Sequence, residues 1–259
     1  MVDGQDWTPI TMAIDKGNME MIKVLCQNGA NLNLSPKEGH SPLNMAIFDG
    51  KQEIVIFLID NGADVNMVEG FTPITIAIFR ENIDILEILI DKGGNLDATM
   101  NGSSTKTQLN FAISTGNQDI LRLMVEKGAN VNLIDNIGWT PLCFAIHKDR
   151  IEMVKILVEN GANPNMLNGG GASPLARAIF AESLEMVKFL VEKGARINAL
   201  DGDGYLPFHD TIRSSDAKFM KYFLQIGAPL NLRNVVGNNA MEMALTTKNQ
   251  HAVKMLILN

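Results

Sequence analysis

The chain has 259 residues, a formal net charge of −7, 46% hydrophobic residues and 20% charged residues. These totals exclude a disordered chain, and no apolar run approaches the roughly 20 residues that span a bilayer. The acidic balance argues against nucleic acid or an anionic membrane as the main partner, because both are bound chiefly through clustered Lys and Arg. Two cysteines and four scattered histidines favour neither a disulfide framework nor a metal set. No secretory signal is visible, so we expect a cytoplasmic protein. We also expect that the protein has no cofactor.

A segment of one design returns about every 33 residues, and its most regular copy is GWTPLCFAIHKDRIEMVKILVENGANPN, from Gly138 to Asn165. The predicted helix starts are separated by 33, 31, 35, 33, 33, 33 and 33 residues. They are Thr8, Ser41, Thr72, Thr107, Thr140, Ser173, Leu206 and Asn239. Five of the eight are Ser or Thr followed by Pro. The hydroxyl caps an orphan amide, and proline loses nothing at the first helical position. The spacing therefore predicts a repeat array.

Each repeat predicts two helices joined by a turn. Six residues after each start lies an aliphatic side chain that we expect to be buried between repeats: Ile14, Ile47, Ile78, Ile113, Ile146, Ile179, Ile212 and Leu245. The second helix is expected to begin at a capping side chain, namely Asn18, Asn82, Asn117, Ser183, Asp216 and Asn249, with Lys51 and Arg150 as exceptions. It should end at a glycine with left-handed backbone, such as Gly161, before a short extended segment such as 30–33.

Two helices and an extended finger at this period resemble the ankyrin repeat, whose pattern includes a TPLH-x-A start. The resemblance implies an all-α repeat solenoid of helix–turn–helix repeats with β-turn fingers, forming a single elongated domain over residues 1–259. The eight repeats are expected at approximately 4–33, 37–66, 69–97, 103–132, 136–165, 169–198, 202–231 and 235–259, the last one incomplete. The motif's histidine survives only as His209, which we expect to be structural. Elsewhere the bracing that this histidine gives in the family should be weaker or made by other residues.

Several repeats depart from the pattern. The finger at 98–106 is two residues longer than the usual finger. The extra residues are either a tolerated insertion or a point of partner contact. The glycine-rich finger at 168–171 is a weak match to a phosphate cradle, because no Lys-Ser/Thr follows it. In repeat seven Leu206 removes the hydroxyl cap and Asp210 enters the first helix. We expect this repeat to fray more easily than repeat five, and equal amide-exchange protection in both would contradict that.

The resemblance also indicates where a partner would bind. Ankyrin repeats usually contact partners along the concave face formed by the fingers and the first helices. Two positions of each repeat should face it: the residue before the helix start and the residue seven after that start. The candidate residues at these positions are Phe48, Phe71, Phe79, Trp139, His147, Phe180, Tyr205 and Arg213. Exposed aromatic side chains mark interaction sites. The alternative is that the rings fold down against neighbouring fingers and add to the core.

Acidic residues lie near these positions, namely Asp15, Asp49, Glu69 and Asp149. We therefore expect a partner with apolar anchors and basic residues. Cys143 and His147 lie four apart on one predicted helix and could meet. Cys143, however, occupies a repeat position that holds Thr, Asn or Ala elsewhere, which favours a structural role.

We therefore predict a non-enzymatic scaffold that binds another protein, with no nucleic acid and no membrane insertion. The alternative is an array that recognises a substrate or host target for a larger enzyme, or for a secreted effector or toxin in the host cytoplasm. Its catalytic domain would lie outside this chain. The apolar last helix, with Val253–Leu258, also favours a segment of a longer array. The full-length sequence would discriminate between the two functions.

Overall fold

The structure is a computed structural model that describes residues 7–35, 41–68, 70–99 and 106–258. These residues contain sixteen short helices and no strand, with one isolated antiparallel bridge between Thr99 and Thr107. The chain divides into two compact units, Met1–Asn130 and Val131–Asn259. We call them the N-terminal unit and the C-terminal unit and describe each by itself. That the repeats form one domain without a boundary stays a prediction.

Every repeat contributes a first and a second helix, as the periodicity predicts. The first helices are α1 (Pro9–Asp15), α3 (Pro42–Phe48), α5 (Pro73–Phe79), α7 (Gln108–Thr115), α9 (Pro141–His147), α11 (Pro174–Phe180), α13 (Pro207–Ser214) and α15 (Ala240–Thr246). The second helices are α2 (Met19–Gln27), α4 (Gln52–Asp60), α6 (Ile83–Asp91), α8 (Gln118–Glu126), α10 (Ile151–Glu159), α12 (Leu184–Glu192), α14 (Ala217–Gln225) and α16 (Gln250–Ile257). Within the described residues, no helix has the length and apolar character needed to cross a membrane.

The helices begin where the predicted caps place them. The side chains that accept an amide of the first turn include Thr8, Ser41, Thr72, Thr107, Thr140 and Ser173 at the first helices. They include Asn18, Asn82, Asn117, Ser183, Asp216 and Asn249 at the second helices. Lys51 and Arg150 form no side-chain cap, as predicted, and neither does Leu206. Each satisfied cap stabilises its helix by about 1 kcal/mol.

The core of each unit lies between successive helix pairs. In the N-terminal unit α1 packs on α3, α3 on α5 and α5 on α7, which encloses the first four members of the aliphatic row completely. In the C-terminal unit the series α9, α11, α13 and α15 packs in the same way. The prediction is wrong for Leu245, which is 59% exposed. It is uncovered because no helix pair follows α15 and α16 in the described residues.

Asparagine side chains join the fingers of successive repeats in both units. Asn66 Oδ1 accepts the Asn95 amide at 2.7 Å, and its Nδ2 donates to the Gly93 carbonyl at 3.0 Å. Asn33, Asn132 and Asn165 each make the same two bonds with the finger of the repeat that follows. The segments predicted as extended, such as 30–33, end in turns without strand pairing. The backbone there is satisfied by side chains of the preceding repeat, which the sequence pattern did not predict.

Candidate partner-binding surface

Three of the predicted site residues lie together in the N-terminal unit. Phe48 ends α3, Phe79 ends α5, and Phe71 immediately precedes the cap of α5. Their exposed fractions are 49%, 62% and 53%, respectively. With Thr75, Ile76 and Phe111 they line a cavity of about 230 Å³. We call this cavity the phenylalanine pocket.

Buried polar bonds position the walls of the phenylalanine pocket. Asn44 Nδ2 donates to the Phe71 carbonyl at 3.1 Å and so fixes the loop that carries this ring. Asn44 occupies the position of the family's histidine, so the bracing predicted to differ is made here by an amide. Of the other lining residues, Thr75 donates its Oγ1 hydrogen to Gln108 Oε1 at 3.2 Å, and Gln108 Nε2 donates to Thr72 Oγ1 at 2.8 Å.

In the C-terminal unit, Trp139 and His147 also come together. Their ring centroids are 5.0 Å apart, and Phe144 lies edge-on to Trp139 at 6.1 Å. The guanidinium carbon of Arg177, from α11, lies 4.6 Å from the centroid of the half-buried Trp139 ring. Asp135 Oδ1 accepts the Trp139 amide at 2.8 Å, which fixes the loop. We call these four side chains, Trp139, Phe144, His147 and Arg177, the tryptophan cluster.

The remaining predicted residues form a third group around Arg213. Its guanidinium carbon lies 4.6 Å from the Tyr205 ring centroid and 5.5 Å from that of Phe180. Arg213 Nη1 also pairs with Asp210 Oδ1 at 3.4 Å. Asp210 is only 1% exposed. Burial is the main cause that raises the pKa of its carboxyl to about 7, and the charge of Asp201 adds to the rise.

Sequence reasoning missed Arg177 and treated Asp210 only as a departure in repeat seven, although a signal for both was present. Both occupy the fourth position after the helix start, where the other repeats carry Met12, Met45, Ile76, Phe111, Phe144 and Met243. Two consecutive charges in an otherwise apolar column indicate positions where the packing of the repeat differs.

The structure supports no catalytic role for Cys143. Its side chain is fully buried, and burial raises the pKa of the thiol, which keeps it protonated and a poor nucleophile at neutral pH. Among the described residues, no group of three or more His, Cys, Asp and Glu side chains is arranged to hold a metal ion. His209 Nδ1 accepts the Leu206 amide at 3.4 Å within the core, a structural contact.

The glycine-rich finger does not form a phosphate cradle, because its amides are already bonded. Gly169 donates to the Gly138 carbonyl at 2.6 Å, while Gly170 and Gly171 donate to Asn168 at 3.1 and 2.8 Å. His40, Glu69 and residues 100–105 of the long finger lie outside the described residues.

Comparison with known proteins identifies the family. A family model for ankyrin repeats, built on three copies, matches residues 1–69, 66–135, 132–201 and 175–259. The chain belongs to the ankyrin repeat family. This confirms the resemblance and the all-α repeat fold inferred from the sequence. Ankyrin repeats are in general non-catalytic modules for protein–protein interaction.

Among solved structures, the chain is similar to the ankyrin repeat domain of Bcl-3, described as a unique member of the IkappaB protein family. The TM-score is 0.76 with 22% sequence identity, over 85% of this chain and 99% of that domain. At this identity the similarity concerns the fold alone. No curated protein matches the chain.

Proposed function

We propose that this ankyrin repeat chain binds a partner protein through the surface formed by its finger loops and the ends of its first helices. The observation that carries the proposal is the phenylalanine pocket. Phe48, Phe71 and Phe79 each leave about half of the side chain in solvent around one apolar cavity. Covering apolar surface is worth roughly 25 cal/mol per Å². A partner side chain that fills this pocket would therefore stabilise the complex by covering apolar surface that is exposed in the isolated protein.

The proposed partner presents an apolar side chain to the pocket. The lining residues supply no charged group, so an aliphatic or aromatic anchor fits it best. Arg80 lies outside the lining, with its guanidinium carbon 4.6 Å from the Phe48 ring centroid. A partner basic residue would meet Asp15 more readily than Asp49, because Asp49 is already paired with Lys51 at 2.6 Å.

The test replaces Phe79, Trp139 and Phe180 together by alanine. We expect the triple variant to lose at least about tenfold in affinity for peptides selected on the wild-type chain from a random displayed library. Two of the three side chains are half exposed or more, so the loss of stability should stay small, and thermal unfolding measures it. The matched control replaces Val24 and Ile257, which are exposed on second helices, by alanine.

The two variants separate binding from packing. If the triple variant unfolds far below the wild-type temperature while its folded fraction still binds the peptides, the rings belong to the core and the proposal fails. Equal loss of binding in the control would show that any exposed apolar residue contributes, and would also contradict the proposed surface.

A further inference from the structure

Three cationic or protonatable side chains gather at the tryptophan cluster. Arg177 lies over the Trp139 ring at 4.6 Å, and the His147 ring centroid is 5.0 Å from that of Trp139. Lys148 Nζ lies 5.6 Å from the Phe144 ring centroid. Both His147 and Lys148 are exposed, and Arg177 is half-buried.

None of the three has an acidic partner within the described part of the chain. Other cations of the same unit do: Lys155 pairs with Glu152 at 2.8 Å, and Arg233 pairs with Glu242 at 2.7 Å. The Nε atom of Arg177 is enclosed and finds no hydrogen-bond acceptor among the described residues. A buried donor without an acceptor destabilises the protein, because its lost hydration is not replaced.

The stacking on Trp139 prepares the guanidinium to receive an anion. A ring contact occupies the flat face of the group, whereas its N–H bonds lie in the plane and point away from the ring. The Nη atoms are not enclosed as Nε is, so they can donate outward. A planar fork of two N–H groups matches the two oxygens of a carboxylate. A basic cluster without an acidic partner of its own is locally complementary to an acid from outside.

We propose that Arg177 binds the carboxylate of an Asp or Glu side chain from the partner protein, while an apolar residue of the same partner segment packs against Trp139. This inference rests on the proposed function and assigns the chemistry of the partner at this cluster. It places acidic partner residues here, whereas the expectation of basic ones applies to the surface near Asp15. A peptide fits better than nucleic acid, because the exposed carboxylate of Asp149, which directly follows Lys148, would repel a phosphate backbone.

The experiment selects peptides that depend on the cluster. A random peptide library displayed on phage is selected on the full chain, and peptides that still bind the Trp139→Ala variant are removed. We expect the remaining peptides to share an Asp or Glu beside an apolar residue. One such peptide and its Asn or Gln analogue are then titrated against the wild type, Arg177→Gln and Arg177→Lys. Arg196→Gln is the matched control, because Arg196 is an exposed arginine of the same unit outside the cluster.

Arg177→Gln should weaken the acidic peptide about tenfold, which corresponds to about 1.4 kcal/mol. The amide analogue should bind wild type and Arg177→Gln with equal affinity. Removing the charge from both the peptide and the protein should therefore weaken binding no more than removing it from one of them. Arg177→Lys should recover part of the affinity, because it keeps the charge and loses the fork. Arg196→Gln should bind as the wild type does. If Arg177→Gln lowers the unfolding temperature, the Arg177→Lys titrations provide the test.

Three results would overturn the inference: a selection without acidic peptides, equal affinity for wild type and Arg177→Gln, or a single-stranded oligonucleotide that competes with the peptide at the cluster. Failure of this inference differs from failure of the proposed function. Peptides released by the Phe79, Trp139 and Phe180 triple variant but indifferent to Arg177→Gln would refute only the carboxylate contact. Peptides indifferent to the triple variant as well would refute the binding surface.

Discussion

Two charged residues replace apolar side chains at the same repeat position, and their surroundings give them different properties. Arg177 in α11 stacks on an aromatic ring and keeps part of its guanidinium at the surface. Asp210 in α13 is enclosed, and its Oδ2 has no hydrogen-bond partner among the described residues. A buried carboxyl is more stable when protonated. Asp210 is therefore a titrating group inside the core rather than a binding group.

The raised pKa of Asp210 makes the stability of the C-terminal unit depend on pH. Between about pH 4 and pH 7 the folded protein holds this proton more tightly than the unfolded chain does. The contribution of Asp210 to the free energy of unfolding is thus largest below about pH 4 and is lost as the pH rises to about 7. We expect Asp210→Asn to reduce this fall, which amounts to at most about 4 kcal/mol. Urea unfolding at several pH values between 4 and 8 measures it.

The control for Asp210 is Glu159→Gln, which changes an exposed carboxyl of the same unit. It should keep the pH dependence of the wild type. If Asp210→Asn shows the wild-type pH dependence too, Asp210 does not titrate in this range in the folded protein.

At the scale of the elements, an aspartate, Asp97, takes the place of one of the asparagines that join successive fingers. Asp97 Oδ1 accepts the Asn130 amide at 2.9 Å, as an asparagine would. A carboxylate has no N–H, so it cannot make the second bond, which elsewhere runs to the glycine carbonyl of the next repeat. We expect Asp97→Asn to restore that bond to Gly128 and to stabilise the protein by about 0.5–1.5 kcal/mol. Chemical denaturation measures the gain.

The converse change, Asn66→Asp, should remove the bond to the Gly93 carbonyl and destabilise the protein by a similar amount. Opposite signs for the two substitutions would locate the effect in the amide donor. A loss of stability in both would show that the local charge, and not the second bond, decides the outcome.

Neighbouring fingers of the C-terminal unit approach closely at glycines. A Cβ atom at Gly169 would lie 2.6 Å from the Gly138 Cα, whereas one at Gly170 would meet only Asn168 Oδ1, at 3.5 Å. Gly169→Ala must therefore separate the fingers and break the bond between them. We expect it to lower stability by about 1–3 kcal/mol, with Gly170→Ala within about 0.5 kcal/mol of the wild type. Thermal unfolding of the pair tests this, and similar unfolding temperatures would contradict the close approach.

The sequence was sufficient for features that lie within one repeat. Caps, apolar positions and glycine ends are local, so the helices and even the uncapped starts at Lys51 and Arg150 were predicted. The bonds of Asn66 and the stacking of Arg177 on Trp139 join different repeats. Such contacts depend on the spacing between helix pairs, which no single repeat contains. The family resemblance gave the two rows of candidate residues. Which of these residues contact one another depends on how neighbouring repeats pack, so the three groups could not be predicted from the sequence.

At the scale of the molecule, the packing runs between neighbours along the chain. In the N-terminal unit each first helix packs on the second helix of its own repeat and on the next first helix, from α1 through α3 and α5 to α7. The stability of such a stack is approximately a sum of terms for the repeats and for the interfaces between neighbours. Energetic coupling should then fall off sharply beyond the adjacent repeat.

Double substitutions in the aliphatic row test this. Ile47 and Ile78 are fully buried in adjacent repeats, whereas Ile14 and Ile113 lie three repeats apart and are equally buried. Each Ile→Val change should cost about 0.5–1.5 kcal/mol. We expect the Ile14 and Ile113 pair to be additive within about 0.5 kcal/mol, and the Ile47 and Ile78 pair to deviate by more, because only these two share an interface. Free energies from urea unfolding of the four single and two double variants decide the matter. Equal coupling in both pairs would contradict nearest-neighbour packing as the main source of stability.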